Sequence, residues 1–163
     1  MKPGPCIERF SFKQKLVFRL AGLVFPAVGM GALFSLEQPW GVVWGCGYVA
    51  VSLALFFLVI VPKYCAWCPY PYEKDDCLLF PAGLVYRFHA RKSGPMPLWD
   101  AAVSSAAVLA ITAMPQPALY RHWLPPLLFW ASWLTLMVGI ALTVCPRCGN
   151  DSCPCNPRRR ARE

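Results

Sequence analysis

The sequence predicts an all-α integral membrane protein with four transmembrane helices, and three observations lead there. Of 163 residues, 57% are hydrophobic and only 15% are charged, with a mean hydropathy of +0.43. Soluble domains carry roughly a quarter charged residues, and disordered chains need low hydrophobicity with high charge. The apolar residues are gathered into long runs, each near the roughly 20 helical residues that cross a hydrocarbon core. Lys and Arg fall almost wholly in alternate connections between those runs, the asymmetry that marks cytoplasmic loops.

Leu20 to Leu36 is the first run, interrupted only by Pro26, which a membrane helix tolerates because neighbouring groups satisfy the freed carbonyl. No small-residue cleavage site follows it, so the basic stretch and the run read as a retained helix rather than a secretory signal. Trp40 to Pro62 is the second run, without a charge. Ala101 to Ala118 is weaker, rich in Ala and Ser, with Asp100 placed as an N-cap. Its small residues let helix backbones approach closely, which places it at the centre of the bundle. Trp123 to Cys145 is the fourth run, with Pro125 and Pro126 suited to a first turn. Gly41, Gly45 and Gly47 offer small surfaces on the second helix, most simply for packing within the chain.

Five Lys or Arg precede the first run (Lys2, Arg9, Lys13, Lys15, Arg19) and five separate the second from the third (Lys63, Lys74, Arg87, Arg91, Lys92). Five more follow the fourth (Arg147, Arg158, Arg159, Arg160, Arg162), and the other side holds only Arg121. Both termini and the central loop are therefore expected in the cytoplasm. The chain divides into a basic segment at 1–19, a helical hairpin at 20–62, a cytoplasmic loop at 63–99, a second hairpin at 100–145 and a Cys/Arg-rich tail at 146–163. The formal charge of +8 then fits anionic lipid headgroups rather than nucleic acid. Leu78 to Lys92 alternates apolar residues with Arg and His and reads as an interfacial segment. A bacterial or archaeal cytoplasmic membrane is the expected location.

Nine cysteines carry the chemistry. Cys65 and Cys68 lie just beyond the second run, followed by Cys77. Cys145 and Cys148 close the fourth, followed by Cys153 and Cys155, so all seven share the cytoplasmic face. Cys6 is near the N-terminus, and Cys46, within the second run, is a small packing residue. The cytosol keeps thiols reduced, so clustered cysteines there point to metal or redox work rather than structural disulfides. A C-x-x-C pair lets two thiolates from one tight turn reach the same ion. Gly149 after Cys148 allows a backbone amide to turn onto a sulfur. Cys145-Pro-Arg-Cys148-Gly149 resembles the metal knuckle of rubredoxins and zinc ribbons, whereas Cys65-Ala-Trp-Cys68 is followed by Pro69. Neighbouring helices are about 8–10 Å apart, so short loops can bring both pairs to one tetrahedral thiolate site. Cys65, Cys68, Cys145 and Cys148 are the first choice of ligands, with Cys77, Cys153 and Cys155 left for a second or alternative site.

Zinc is favoured, and an iron–sulfur cluster is the rival, since clusters also take four thiolates. The expected role is that of a subunit, scaffold or assembly factor of a membrane complex, because no nucleophile–base–acid set, phosphate-binding loop or carboxylate pair marks an enzyme or identifies a small-molecule substrate. Two alternatives remain. Four helices with paired cysteines resemble the membrane thiol–disulfide oxidoreductases that pass electrons to quinone, although those place their working thiols on the oxidising side. Soft thiolates also suit the handling of Cu(I) or a similar metal, but the runs offer only Cys46, Met30, Met114 and Met137 as a path. His89 reads first as an interfacial polar group, and His122 lies on the side opposite the cysteines. Glu73, Asp75 and Asp76 read as a solvated turn beside Cys77.

Overall fold

The computed structural model describes residues 7–121, 123–150 and 153, and these are helical, with no strand among them. Four helices are long and apolar enough to cross a membrane: Phe12–Phe34, Trp40–Trp67, Leu98–Leu119 and Leu124–Arg147. They are called here the first to fourth spans. The first starts well before its apolar run. Ser11 accepts from the Gln14 amide while the Gln14 side chain accepts from the Ser11 amide, a capping box that satisfies two free donors. Lys13, Lys15 and Arg19 therefore ride on a helix. The helix continues through Pro26 to Phe34. Pro125 and Pro126 fall in the first turn of the fourth span, where proline's missing N–H costs no hydrogen bond.

The second and fourth spans end alike. The α-helix Trp40–Leu55 widens into a π-helical stretch at Phe56–Ile60, and Leu124–Gly139 does the same at Ile140–Val144. The π-helical turn is rare and often marks functional positions.

The first span is the hub, packed against the second, the fourth and the end of the third. This corrects the expectation that the third span is central. The helix Leu98–Ala113 buries Asp100, Ser104, Ala107, Ile111 and Thr112; it packs chiefly on the second span and its π-helical stretch, while Ile111 joins Leu33, Tyr48 and Phe129 and Thr112 accepts from the Trp133 indole of the fourth span. Ala102, Ser105, Ala106, Ala110 and Ala113 are exposed on its other side. Gly41 and Gly45 pack within the chain as expected. A Cβ on Gly41 would stand 2.5 Å from the Leu36 carbonyl oxygen, and one on Gly45 would stand 2.7 Å from the Phe34 ring. Gly47 faces open space.

Two apolar clusters fill the bundle. One, at the end that carries Cys68 and Cys148, joins Ile7, Phe10, Phe18, Tyr70, Leu78, Leu136 and Val144. The other, toward the opposite end, joins Leu33, Tyr48, Ile111, Leu119 and Phe129. Within the interfacial segment, a short helix at Ala82–Tyr86 is flanked by Phe80 and Phe88. These rings contact Phe56 and Phe57 of the π-helical stretch, so the central loop is fastened to the rim of the second span.

Candidate thiol centre

Each C-x-x-C pair sits in a single 3-10 turn that follows its π-helical stretch, Cys65–Trp67 in one case and Cys145–Arg147 in the other. The Cys68 amide donates to the Cys65 carbonyl at 3.0 Å, and the Cys148 amide donates to the Cys145 carbonyl at 3.2 Å. Both second cysteines then turn extended, with φ −85° and ψ 126° at Cys68 and φ −70° and ψ 132° at Cys148. Two segments 80 residues apart (145 less 65) thus adopt one backbone form at the same end of the bundle.

Tyr70 joins them. It is 2% exposed, and its backbone amide donates to the Cys68 sulfur. Its hydroxyl donates to the Ile7 carbonyl at 2.7 Å and accepts from the Gly149 amide at 3.0 Å. The same hydroxyl reaches the Cys148 side chain. The Ile7 amide in turn donates to the Arg147 carbonyl at 2.8 Å. The amide of Gly149 is thus taken by this phenol. Burial, offset in part by the Gly149 amide, pushes the Tyr70 hydroxyl up to about 12, so it is a neutral donor at physiological pH.

Cys68 lies within electrostatic reach of Cys148, Cys77 and Cys65, and Cys65 within reach of Cys77. Burial pushes the Cys68 thiol well up, against the lowering effect of the Tyr70 amide, and the neighbouring sulfurs push it further. It is a protonated thiol at neutral pH. Cys77 thus belongs to the same neighbourhood as the first pair. Cys153 is buried, its sulfur 3.6 Å from the Tyr64 hydroxyl, beside the first turn. No disulfide joins the cysteines among the described residues. Among those residues no group of three or more His, Cys, Asp or Glu side chains is arranged to hold an ion. The donor type suits a thiophilic metal, but the sulfurs do not yet converge. Cys155, Cys6 and His122 lie outside the described residues. Cys46 is exposed on the second span. The backbone carbonyl of His89 accepts from the Tyr72 hydroxyl at 3.0 Å.

Two carboxylates fasten this end, and neither role was visible in the sequence. Asp76 is 4% exposed, not solvated. It pairs with Lys15 and accepts from the Phe10 amide at 2.8 Å. Burial raises its pKa, but the Lys15 bond, the Phe10 amide and the Lys15 charge outweigh that and hold the carboxyl below its ordinary value. Arg19 donates to the carbonyls of Cys77 and Phe80, tying the first span to the loop that carries Cys77. Glu73 pairs with Arg91, and Asp75 takes a positive φ of 46° at the turn between them, a conformation Asp tolerates.

Asp100 is not the N-cap of its helix; Pro97 holds that position. Its carboxylate reaches across to the second span instead. It accepts from Lys63 at 2.9 Å, from the Trp67 indole at 3.1 Å and from Lys92 at 3.3 Å. The spacing of charges along the chain gave no sign of these partners, which lie 37, 33 and 8 residues away. Compared with protein-family models, curated proteins and solved structures, the chain matches none.

Proposed function

We propose that this is a membrane-anchored metal-binding protein whose two C-x-x-C turns supply thiolates to one site on the cytoplasmic face. The observation that carries the reading is the repetition of one turn. Each hairpin ends in a π-helical stretch and a Cys-x-x-Cys 3-10 turn, and Tyr70 links the two turns directly. Cys65, Cys68, Cys145 and Cys148 are the leading ligands, with Cys77 next to the first pair and Cys153 beside it. Binding of a divalent ion to thiolates releases their protons and draws the sulfurs together, so closure of the site and metal uptake are one event. Zinc suits a closed set of four thiolates that ties short segments together. An iron–sulfur cluster would use the same sulfurs.

The site joins the central loop to the segment after the fourth span, which fits a subunit, scaffold or assembly factor of a membrane complex. The basic residues Arg9, Lys13, Lys74, Arg87 and Arg91 lie on the N-terminal segment and central loop fastened at the same end, where they suit anionic headgroups on the cytoplasmic side.

The test is metal and labile-sulfide analysis of anaerobically purified protein, with a visible spectrum of the same sample. About one zinc per chain is expected, lost from Cys68→Ser and Cys148→Ser. Iron with matching sulfide would assign electron transfer instead. A protein that holds no metal and forms disulfides within its C-x-x-C pairs would overturn the proposal.

A further inference from the structure

Asp100 is the one acidic residue in the four apolar helices. It is 6% exposed in the first turn of the third span, and a buried carboxylate is costly unless partners hold it. Its two lysine partners account for its charge. They do not account for its third bond, to the neutral indole of Trp67. Trp67 lies inside the first C-x-x-C, between the two sulfurs in sequence. Lys92 holds the same turn from the other side. Its backbone amide donates to the Ala66 carbonyl at 2.9 Å, and its ammonium lies 5.4 Å from the centre of the Trp67 ring. Both inner residues of Cys65-Ala66-Trp67-Cys68 are thus gripped from outside the turn, with Asp100 binding both the indole and the lysine.

The second turn is stiffened differently. Cys145-Pro146-Arg147-Cys148 contains a proline, whose ring fixes φ near −65°, and its Arg147 carbonyl is held by the Ile7 amide. The first turn has Ala where the second has Pro, and the external clamp stands in for the ring.

We infer that Asp100 is a positioning residue for the thiolate site: through Trp67 it holds the Cys65–Cys68 turn in the shape that presents both sulfurs to one ion. Its purpose rests on the thiolate reading above, while the first part of its test does not. In full-length, reduced, metal-free protein in detergent, the alkylation rate of each cysteine by iodoacetamide is followed by mass spectrometry. Asp100→Asn should speed Cys65 and Cys68 several-fold and leave Cys148 unchanged, and Asp100→Glu should restore part of the protection. Trp67→Phe removes only the indole N–H and should act in the same direction, with the double variant no worse than Asp100→Asn alone. No change, or an equal rise at all three sulfurs, would overturn the positioning role.

Co(II) titration then separates the two ideas. Loss of a partner that orients metal ligands typically weakens affinity about 10–100-fold, and Asp100→Asn should fall in that range. Wild-type protein that takes up no Co(II) overturns the thiolate reading, and with it the purpose given to Asp100. Uptake with equal affinity in Asp100→Asn overturns the positioning role alone.

Discussion

Asp76 shows how much a single buried carboxylate does at the rim of this bundle. It binds the Phe10 amide and the Lys15 ammonium at once, and so joins the chain before the first span to the residue next to Cys77. Its carboxyl is held below its ordinary value, and the sign of the linkage follows. A depressed carboxyl stabilises the folded state above the unfolded pKa of about 3.9, and that contribution is lost as pH falls through the lower folded value. Thermal melts in detergent should show the wild-type midpoint falling below about pH 4. Asp76→Asn should begin lower at neutral pH, by about 1.5–3 kcal/mol for a charged hydrogen bond, and should fall less on acidification. A variant whose acid dependence matched wild type would show that Asp76 is not responsible. The sequence displayed Asp76 as one of three acidic residues in a polar turn. Its partners are 61 and 66 residues away (76 less 15 and 76 less 10), a separation at which no local pattern identifies a pair.

The packing of the first hairpin depends on which glycine is touched. At Gly41 an added Cβ meets backbone carbonyl oxygens of Leu36 and Phe34, which cannot swing aside. At Gly47 it meets nothing. Gly41→Ala should therefore destabilise by about 1–3 kcal/mol, the usual cost of overpacking. Gly47→Ala should be neutral or gain up to about 1 kcal/mol from helix propensity. Unfolding midpoints of the two variants, measured side by side, check this, and equal effects would contradict the packing described. The four long helices were legible because hydropathy over a span is a summed signal. Their starts were less so: the first begins at a four-residue capping box rather than at its apolar run, and Asp100 looks like a cap but bonds elsewhere. The position of the third span was misread because small residues permit close approach without requiring it on every side.

Across the whole molecule, both C-x-x-C turns, the central loop and the N-terminal segment meet at one end, through Tyr70, Asp76 and Asp100. Exposed aromatic residues mark both rims, with Phe12, Phe88 and Trp99 near the thiols and Trp40, Tyr120 and Trp123 at the far end. Such residues settle at the headgroup level. The proposed cytoplasmic placement of the thiol end is tested with a membrane-impermeant maleimide on intact cells. A reporter cysteine at Glu37, in the far connection, should label from outside, while the thiols near Tyr70 should label only after the membrane is opened. Labelling of those thiols from outside would reverse the orientation. That the two C-x-x-C turns lie at one end of the bundle was foreseeable, since an even number of long helices returns the chain to the end it left. The phenol that joins them was not, because nothing distinguishes Tyr70 from the other tyrosines until the turns are placed in space.

The two π-helical stretches give the thiols a rotational setting as well as a height. Each extra residue in a helix turns everything after it by about 100°, so Phe56–Ile60 and Ile140–Val144 act like the index marks of a dial. Deleting Val59 should restore a plain α-helix and swing Cys65 and Cys68 about a quarter turn toward lipid, with the span still long enough to cross. Such a chain should insert normally, keep its helical circular dichroism and lose the metal binding proposed above; equal metal binding by the two chains would mean that loop flexibility, rather than helical phase, aims the sulfurs.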